Sequence, residues 1–177
     1  MHWSEFERGQ SRMARLARDR LIAPGVVLVA TIRRDGTPRV SPVEPFLLDG
    51  DLWLFMMWQS NKARDLLRDP RILVHSVITT RDGSEGEFKL RGTARLESEL
   101  AVRRNHAEAV AASLGWRPDL DRSHLFSVDI SKVSYLSYDT MSGDQHVAIW
   151  PPASEFIRRA TSSTSVGEPE PRSDIIC

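Results

Sequence analysis

The chain has 177 residues and carries 24 basic against 24 acidic side chains, so net charge gives no reason to expect a nucleic-acid or membrane-surface partner. Its one cysteine, Cys177, rules out an intrachain disulfide, and the charged start Met1-His2-Trp3-Ser4-Glu5-Phe6-Glu7-Arg8 lacks the apolar run of a secretory signal. The longest apolar run, Val26–Ile32, is far short of a membrane span, and the expectation is a cytoplasmic protein.

Ser4–Ile22 reads as one amphipathic helix. Phe6, Met13, Leu16 and Ala17 can share a face, and Ser4 with Glu7 has the spacing of a capping box. Ala23-Pro24-Gly25 stops it. Val26–Ile32, rich in β-branched residues, reads as a buried strand. Arg34-Asp35-Gly36 then turns the chain into a long second strand over Thr37–Leu48, and Asp49-Gly50 into a third over Leu52–Met57. A helix starts at Ser60 and ends near Asp69-Pro70, because the residue before proline disfavours helix. Arg71–Thr79 and Glu87–Leu96 are the fourth and fifth strands. Ser98 opens a helix that runs to about Leu114, with Leu100, Ala107, Val110, Ala111 and Leu114 on its apolar face and Gly115 as its stop. Leu125–Tyr138 and Asp144–Trp150 are the sixth and seventh strands, the last ended by Pro151-Pro152. From Thr161 onward the Ser, Pro and Glu content predicts disorder. The units are an N-terminal helix over 1–22, a β domain over 23–152 and a tail over 153–177. Hairpin-linked strands dominate, so the fold class is mainly β with flanking helices, an antiparallel closed or split barrel of six to seven strands.

The chemistry concentrates around Ser60-Asn61-Lys62-Ala63-Arg64. Ser60 is a good N-cap residue, yet Lys62 and Arg64 put positive charge where the helix dipole is already positive. That arrangement suits a bound anion such as phosphate; the plain alternative is a solvated lysine beside a routine cap. Arg33, Arg34 and Arg39 either extend a basic rim or are ordinary turn residues. Arg39-Val40-Ser41-Pro42-Val43-Glu44-Pro45 holds two prolines that cannot donate to a ladder. It is either an edge strand protected against aggregation or a backbone that faces a flat ligand. Met56, Met57 and Trp58 could border an aromatic ring or simply pack. The histidines show no metal-ligand spacing, so no metal is expected, and His75 reads as a core histidine before a haem ligand. No nucleophile motif, Walker motif or dinucleotide-binding glycine pattern occurs, so an enzyme built on this chain would rely on a cofactor for its chemistry.

Taken in order, Val29-Ala30-Thr31-Ile32-Arg33-Arg34-Asp35-Gly36-Thr37-Pro38-Arg39-Val40-Ser41-Pro42-Val43, Gly50-Asp51-Leu52-Trp53-Leu54-Phe55 and Ser60-Asn61-Lys62-Ala63-Arg64-Asp65-Leu66-Leu67-Arg68-Asp69-Pro70-Arg71 form one pattern. It resembles the pyridoxamine-5'-phosphate-oxidase-like flavin-binding split-barrel superfamily, its actinobacterial, deazaflavin-linked members above all. The likeness covers about Val26–Leu96 and weakens toward Trp150. It implies a homodimer with cofactor sites between subunits, and FMN or the 8-hydroxy-5-deazaflavin coenzyme as cofactor. It further implies that Ser60, Asn61 and Lys62 hold the cofactor phosphate, with Arg64, Met56 and Met57 nearby. The strand Arg39, Val40, Ser41 and Pro42 would lie along the ring, and Trp150 would approach from the partner subunit. The substrate-binding arginine motif of the vitamin B6 oxidases is missing, which argues against pyridoxamine phosphate as substrate. The function implied is a flavin- or deazaflavin-dependent oxidoreductase that transfers hydride to or from a small molecule. Its alternatives are a non-catalytic flavin- or haem-binding protein and a dimeric scaffold with a vestigial site.

Overall fold

The computed structural model describes residues 1–172. Helices α1 (Trp3–Gly9) and α2 (Ser11–Ala17) are followed by a wide helical turn over Arg18–Ile22. The strands are β1 (Val27–Ile32), β2 (Pro38–Val43), β3 (Pro45–Leu48), β4 (Asp51–Met57), β5 (Arg71–Ser76), β6 (Glu87–Leu96), β7 (Ser123–Tyr138) and β8 (Gln145–Trp150). Helix α3 (Asn61–Arg68) joins β4 to β5, and α4 (Leu100–Leu114) joins β6 to β7. Four short strands follow: β9 (Ser154–Arg158), β10 (Ala160–Ser162), β11 (Ser165–Val166) and β12 (Glu170–Pro171). Among the described residues no helix is long and apolar enough to cross a membrane.

Every neighbouring pair of strands is antiparallel, in the order β12-β9-β8-β7-β6-β5-β1-β2, with β4 pairing β7 and β3 pairing β4. The sixteen-residue β7 makes this possible. One of its edges holds β6 at Phe126–Leu136, while the other holds β4 at Ser123–Ser127 and β8 at Val133–Tyr138. The sheet curls around one core but β2 and β3 do not pair, so the barrel is split.

The split falls where the sequence predicts a continuous strand over Thr37–Leu48. The chain leaves β1 after Val43 and joins β4 from Pro45, breaking at Glu44. The prolines explain the change of partner. Pro38 and Pro42 are four residues apart and share one orientation in the ladder, so neither removes a bond to β1. The Pro42 carbonyl is instead taken by Lys62 Nζ at 3.0 Å. Of the two readings of this segment, the protected edge strand is the one the single chain displays.

The N-terminal segment also differs from the single helix expected. It breaks at Gln10, and the capping pair is His2 with Glu5, whose carboxylate accepts the His2 backbone N–H at 2.8 Å. The break lets both pieces cover one end of the barrel. Trp3 and Phe6 from α1 and Met13, Ala14 and Ala17 from α2 are all buried with Val27, Val29, Leu54, Phe88, Leu90 and Phe126.

On α4 the buried positions are His106, Ala107 and Val110, whereas Leu100 and Leu114 are half-exposed. The buried face is rotated from the expected one because α4 packs on the aromatic outer side of the β3–β4 hairpin. His106 meets Phe46 and Trp53 edge to face at 5.5 and 6.1 Å. Its Nε2 has no hydrogen-bond partner, and burial pushes its pKa down to about 4. An unfolded histidine titrates near 6.5, so between pH 6.5 and 4 the unfolded chain takes up a proton that the folded chain refuses. Stability is therefore complete above pH 6.5 and falls as the solution is acidified. We expect the imidazole to account for a loss of about 2 kcal/mol between pH 7 and pH 5. Urea unfolding at both values, compared with His106→Phe, checks this: the variant should lack that part of the loss.

Over 161–172 the C-terminal segment corrects the expectation of disorder, while the part of that expectation over 173–177 lies outside the described residues. β10 and β11 form a hairpin and β12 pairs β9. Asp144 fixes the turn into this hairpin by accepting the Ala160 N–H and the Arg159 guanidinium, both at 2.8 Å. Arg158 Nε donates to the Gly167 carbonyl at 2.9 Å. Polar composition hides this, because backbone pairing and not apolar burial holds the segment. Cys177 lies outside the described residues.

Candidate functional site

Helix α3 begins just after β4, at the tight turn Met57-Trp58-Gln59-Ser60. Gln59 takes a left-handed conformation (φ 54°), and its backbone N–H donates to His124 Nε2 at 3.3 Å. Trp58 lies flat on the His124 ring, with centroids 4.5 Å apart and planes 16° from parallel. His124 is buried on β7; burial and the nearby Arg103 lower its pKa, which keeps Nε2 free to accept. This prop holds the turn that aims the amino end of α3 outward.

That end is uncapped. Ser60 occupies the N-cap position but makes no side-chain cap, and its Oγ is buried without a hydrogen-bond partner. The first N–H groups of the helix are thus open to an external acceptor. Beside this end, along one side of α3, runs a cleft of about 460 Å³, lined by Asn61, Arg64, Asp65 and Arg68 of the helix and by Arg33, Arg34, Asp35 and Arg39 of the β1–β2 turn and β2. Five guanidinium groups face two carboxylates there. Asp65 is buried and ties the cleft together: it accepts Arg39 Nε at 2.7 Å and Thr31 Oγ1 at 2.9 Å, with Arg68 at 3.5 Å. Burial works to raise its pKa, but the bonds from Arg39 and Thr31 and the charges of Arg39 and Arg68 outweigh it, and the pKa is lowered. Asp35 is spent on its own turn, accepting the Thr37 N–H and hydroxyl. Arg34 and Arg64 have no ion-pair partner among the described residues.

Of the residues expected at the site, the cleft brings together Arg39, Asn61 and Arg64, with Ser60 at the helix start. Lys62 is half-buried and points to the other side of α3, toward β2, and burial lowers its pKa. Arg39–Asp65 and Pro42–Lys62 are two clamps, three residues apart on each element, that dock β2 on α3. Val40 and Pro42 are exposed and Ser41 half-buried on the free edge of β2. Met57 is 70 % exposed beside Trp58, which is 50 % exposed. Met56 does not join them: at 1 % exposure it belongs to the core, because alternate residues of β4 face inward. Trp150 does not join them either, since its ring packs on Phe6, with centroids 5.6 Å apart, close under Gly9. His75 is no core histidine. It stands half-buried on the outer sheet face, Nδ1 against the Ser76 carbonyl at 2.6 Å and Nε2 3.3 Å from Glu87. Asp65 and Arg68, which complete the cleft, were missed; their spacing from Asn61 and Arg64 on one helical face was the available signal. Among the described residues no group of three or more His, Cys, Asp or Glu side chains could hold a metal ion.

Residues 13–137 match the family model of pyridoxamine 5'-phosphate oxidase. The chain belongs to the pyridoxamine 5'-phosphate oxidase family. Solved members of the same fold include a putative pyridoxamine 5'-phosphate oxidase from Listeria innocua (15 % identity, 70 % of this chain and 94 % of that one, TM-score 0.56). A heme binding protein from Mycobacterium smegmatis is 26 % identical over 68 % of this chain and 52 % of its own, with TM-score 0.53. An F420 reductase is 17 % identical over 66 % of this chain and 94 % of its own, with TM-score 0.50. No curated protein matches the chain.

Proposed function

We propose that the protein binds FMN or the 8-hydroxy-5-deazaflavin coenzyme by its phosphate and acts as an oxidoreductase on a small molecule. One observation carries this reading: the uncapped start of α3, with its buried and unpartnered Ser60 hydroxyl, adjoins at Asn61 a cleft of five arginines and two aspartates along the side of the helix. Ser60, Asn61 and the first N–H groups of α3 would hold the phosphate, and Arg34 and Arg64 would meet further negative charge. The free edge of β2 from Arg39 to Pro42 would receive the ring, with Met57 and Trp58 beside it. When bound, such a ring accepts or donates a hydride. The chain's own part is to bind, orient and shield: the two β2–α3 clamps fix the edge strand, and the Trp58–His124 stack fixes the turn.

A homodimer belongs to this proposal. The outer face of the sheet carries half-exposed Leu28, Leu136, Val147 and Phe156, which no element of the chain covers among the described residues. A second copy would cover them and wall the cofactor site. A cytoplasmic setting is part of this proposal, and the single cysteine, which permits no intrachain disulfide, is compatible with it.

Titration of the purified protein with each cofactor, read by ring fluorescence, should saturate with one of the two, and sedimentation of the complex should give twice 20.0 kDa. No saturable change with either removes the reading. A second reading, a binding protein without turnover, is favoured by the cleft's lack of an acid or base free to move a proton, since its carboxylates are engaged. Cofactor that binds but stays oxidised with every donor tried would select it. A haem band that depends on His75 would select its haem-binding form.

A further inference from the structure

The sheet turns a second face away from the core. On it, Arg91 of β6 and Lys132 of β7 are direct cross-strand partners, and Leu73 of β5 stands next in the same row. The adjoining row runs His75, Lys89, Ser134 and Ile149. These two rows enclose a hollow of about 220 Å³, with Leu73 and Ile149 as its apolar floor and Lys89, Arg91 and Lys132 around it.

Like charges placed opposite one another on a sheet repel and lower stability. Among the described residues no carboxylate of this face pairs with Arg91 or Lys132: Asp129, beyond the register shift on β7, is engaged by Arg95 and the N-terminal ammonium. Glu87, four residues before Arg91 on β6, is already engaged by His75 and Lys89. Neither Arg91 nor Lys132 has an ion-pair partner among the described residues. The backbone beneath them is specially shaped as well. The register shifts between Arg91 and Gly92, leaving Ser131 as the extra residue, whose hydroxyl donates to the Arg91 carbonyl at 3.2 Å. A side chain at Gly92 would run into the Asp129 carbonyl, so the bulge requires glycine. Bulges of this kind re-aim side chains beside sites. β6 and β7 lie three and four strands from β2, about 15–20 Å at ordinary strand spacing, so within one chain this hollow is not part of the arginine cleft.

We propose that the hollow binds a small organic anion, with its carboxylate or phosphate between Arg91 and Lys132 and its apolar part on Leu73 and Ile149. The anion supplies the counter-charge that the sheet omits, and the apolar floor selects an anion with a hydrocarbon body over an inorganic ion. A second copy laid on this face would strengthen the need, because it would take both cations out of water.

The test uses the full chain with benzoate, phenyl phosphate and neutral benzamide as probes, followed by the methyl NMR signals of Leu73 and Ile149. At least one anion should give saturable shifts and benzamide none, and the stronger of the two anions assigns the headgroup. Arg91→Gln and Lys132→Gln should each weaken that binding about tenfold or more. Without ligand, both variants should melt higher at low salt, because each removes one of two repelling charges, and the gain should shrink at high salt. No response to either anion, an equal response to benzamide, or a lower melting temperature in both variants would overturn the proposal.

Discussion

Replacing Asp65 by alanine should destabilise the fold by about 3 kcal/mol, the scale for removing one partner from a buried ion pair. The carboxylate is buried and is the only one in contact with Arg39, Thr31 and Arg68 among the described residues. Its loss leaves the half-buried Arg39 guanidinium and the buried Thr31 hydroxyl unpaired, and it frees β2, an edge strand with one ladder neighbour. Asp65→Asn keeps a hydrogen-bond acceptor for Thr31 and Arg39 but not the charge, so it should fall between wild type and alanine. Urea unfolding at pH 7 measures all three. The pH dependence has a definite sign. The folded pKa lies below the ordinary 3.8, so the stabilisation is complete above the usual aspartate range and fades as pH falls through the folded value. An alanine variant as stable as wild type would show that the clamp on β2 is not needed.

The second large effect is on binding. Lys62→Ala should weaken affinity for the cofactor that saturates the wild type by about tenfold to a hundredfold, the range for a charge-assisted hydrogen bond. Two routes lead there. Lys62 could leave the Pro42 carbonyl to meet the phosphate, or it could stay and hold the β2 edge where the ring lies. Salt separates them. A direct contact makes binding weaken as salt rises, and the alanine variant should then show a shallower salt dependence than wild type. A positioning role lowers affinity at every salt concentration and leaves the slope unchanged. Unchanged affinity would take the cofactor away from the amino end of α3 altogether. Melting curves run alongside guard against loss of fold, which should be much smaller here than for Asp65→Ala, because Lys62 makes one hydrogen bond to a backbone carbonyl.

Much of the strand list was legible because it rests on local signals. Glu87–Leu96 was expected with the limits observed. Alternation puts Ile72, Val74 and Ser76 on one side of β5 and Leu73 and His75 on the other; the structure decides that the first side is the buried one. The amino end of α3 was legible for a chemical reason: cations in a first helical turn conflict with the dipole, and the structure adds an uncapped serine at the same place. What failed depended on neighbours far along the chain. Met56 and Met57 are adjacent and look alike in sequence, yet one is core and the other surface, because β4 turns alternate residues to opposite faces. Trp150 reads as a lone aromatic before two prolines, and only the docking of α1 at Phe6 and Gly9 explains where its ring goes. The polar tail read as disordered because its order comes from backbone pairing with β9 and from Asp144, neither of which composition records.

By itself, then, the sequence determined an antiparallel, mainly β chain with a basic helix start after its third predicted strand, and membership of the pyridoxamine 5'-phosphate oxidase family. Periodicity, turn residues and charge placement are local, and they survive without knowledge of what packs on what. The tertiary structure alone decided where the barrel splits, which arginines share a cleft with Asp65, and that Arg91 and Lys132 face each other across two strands. Those facts depend on register and strand order, which bring together residues tens of positions apart, and no local pattern specifies them.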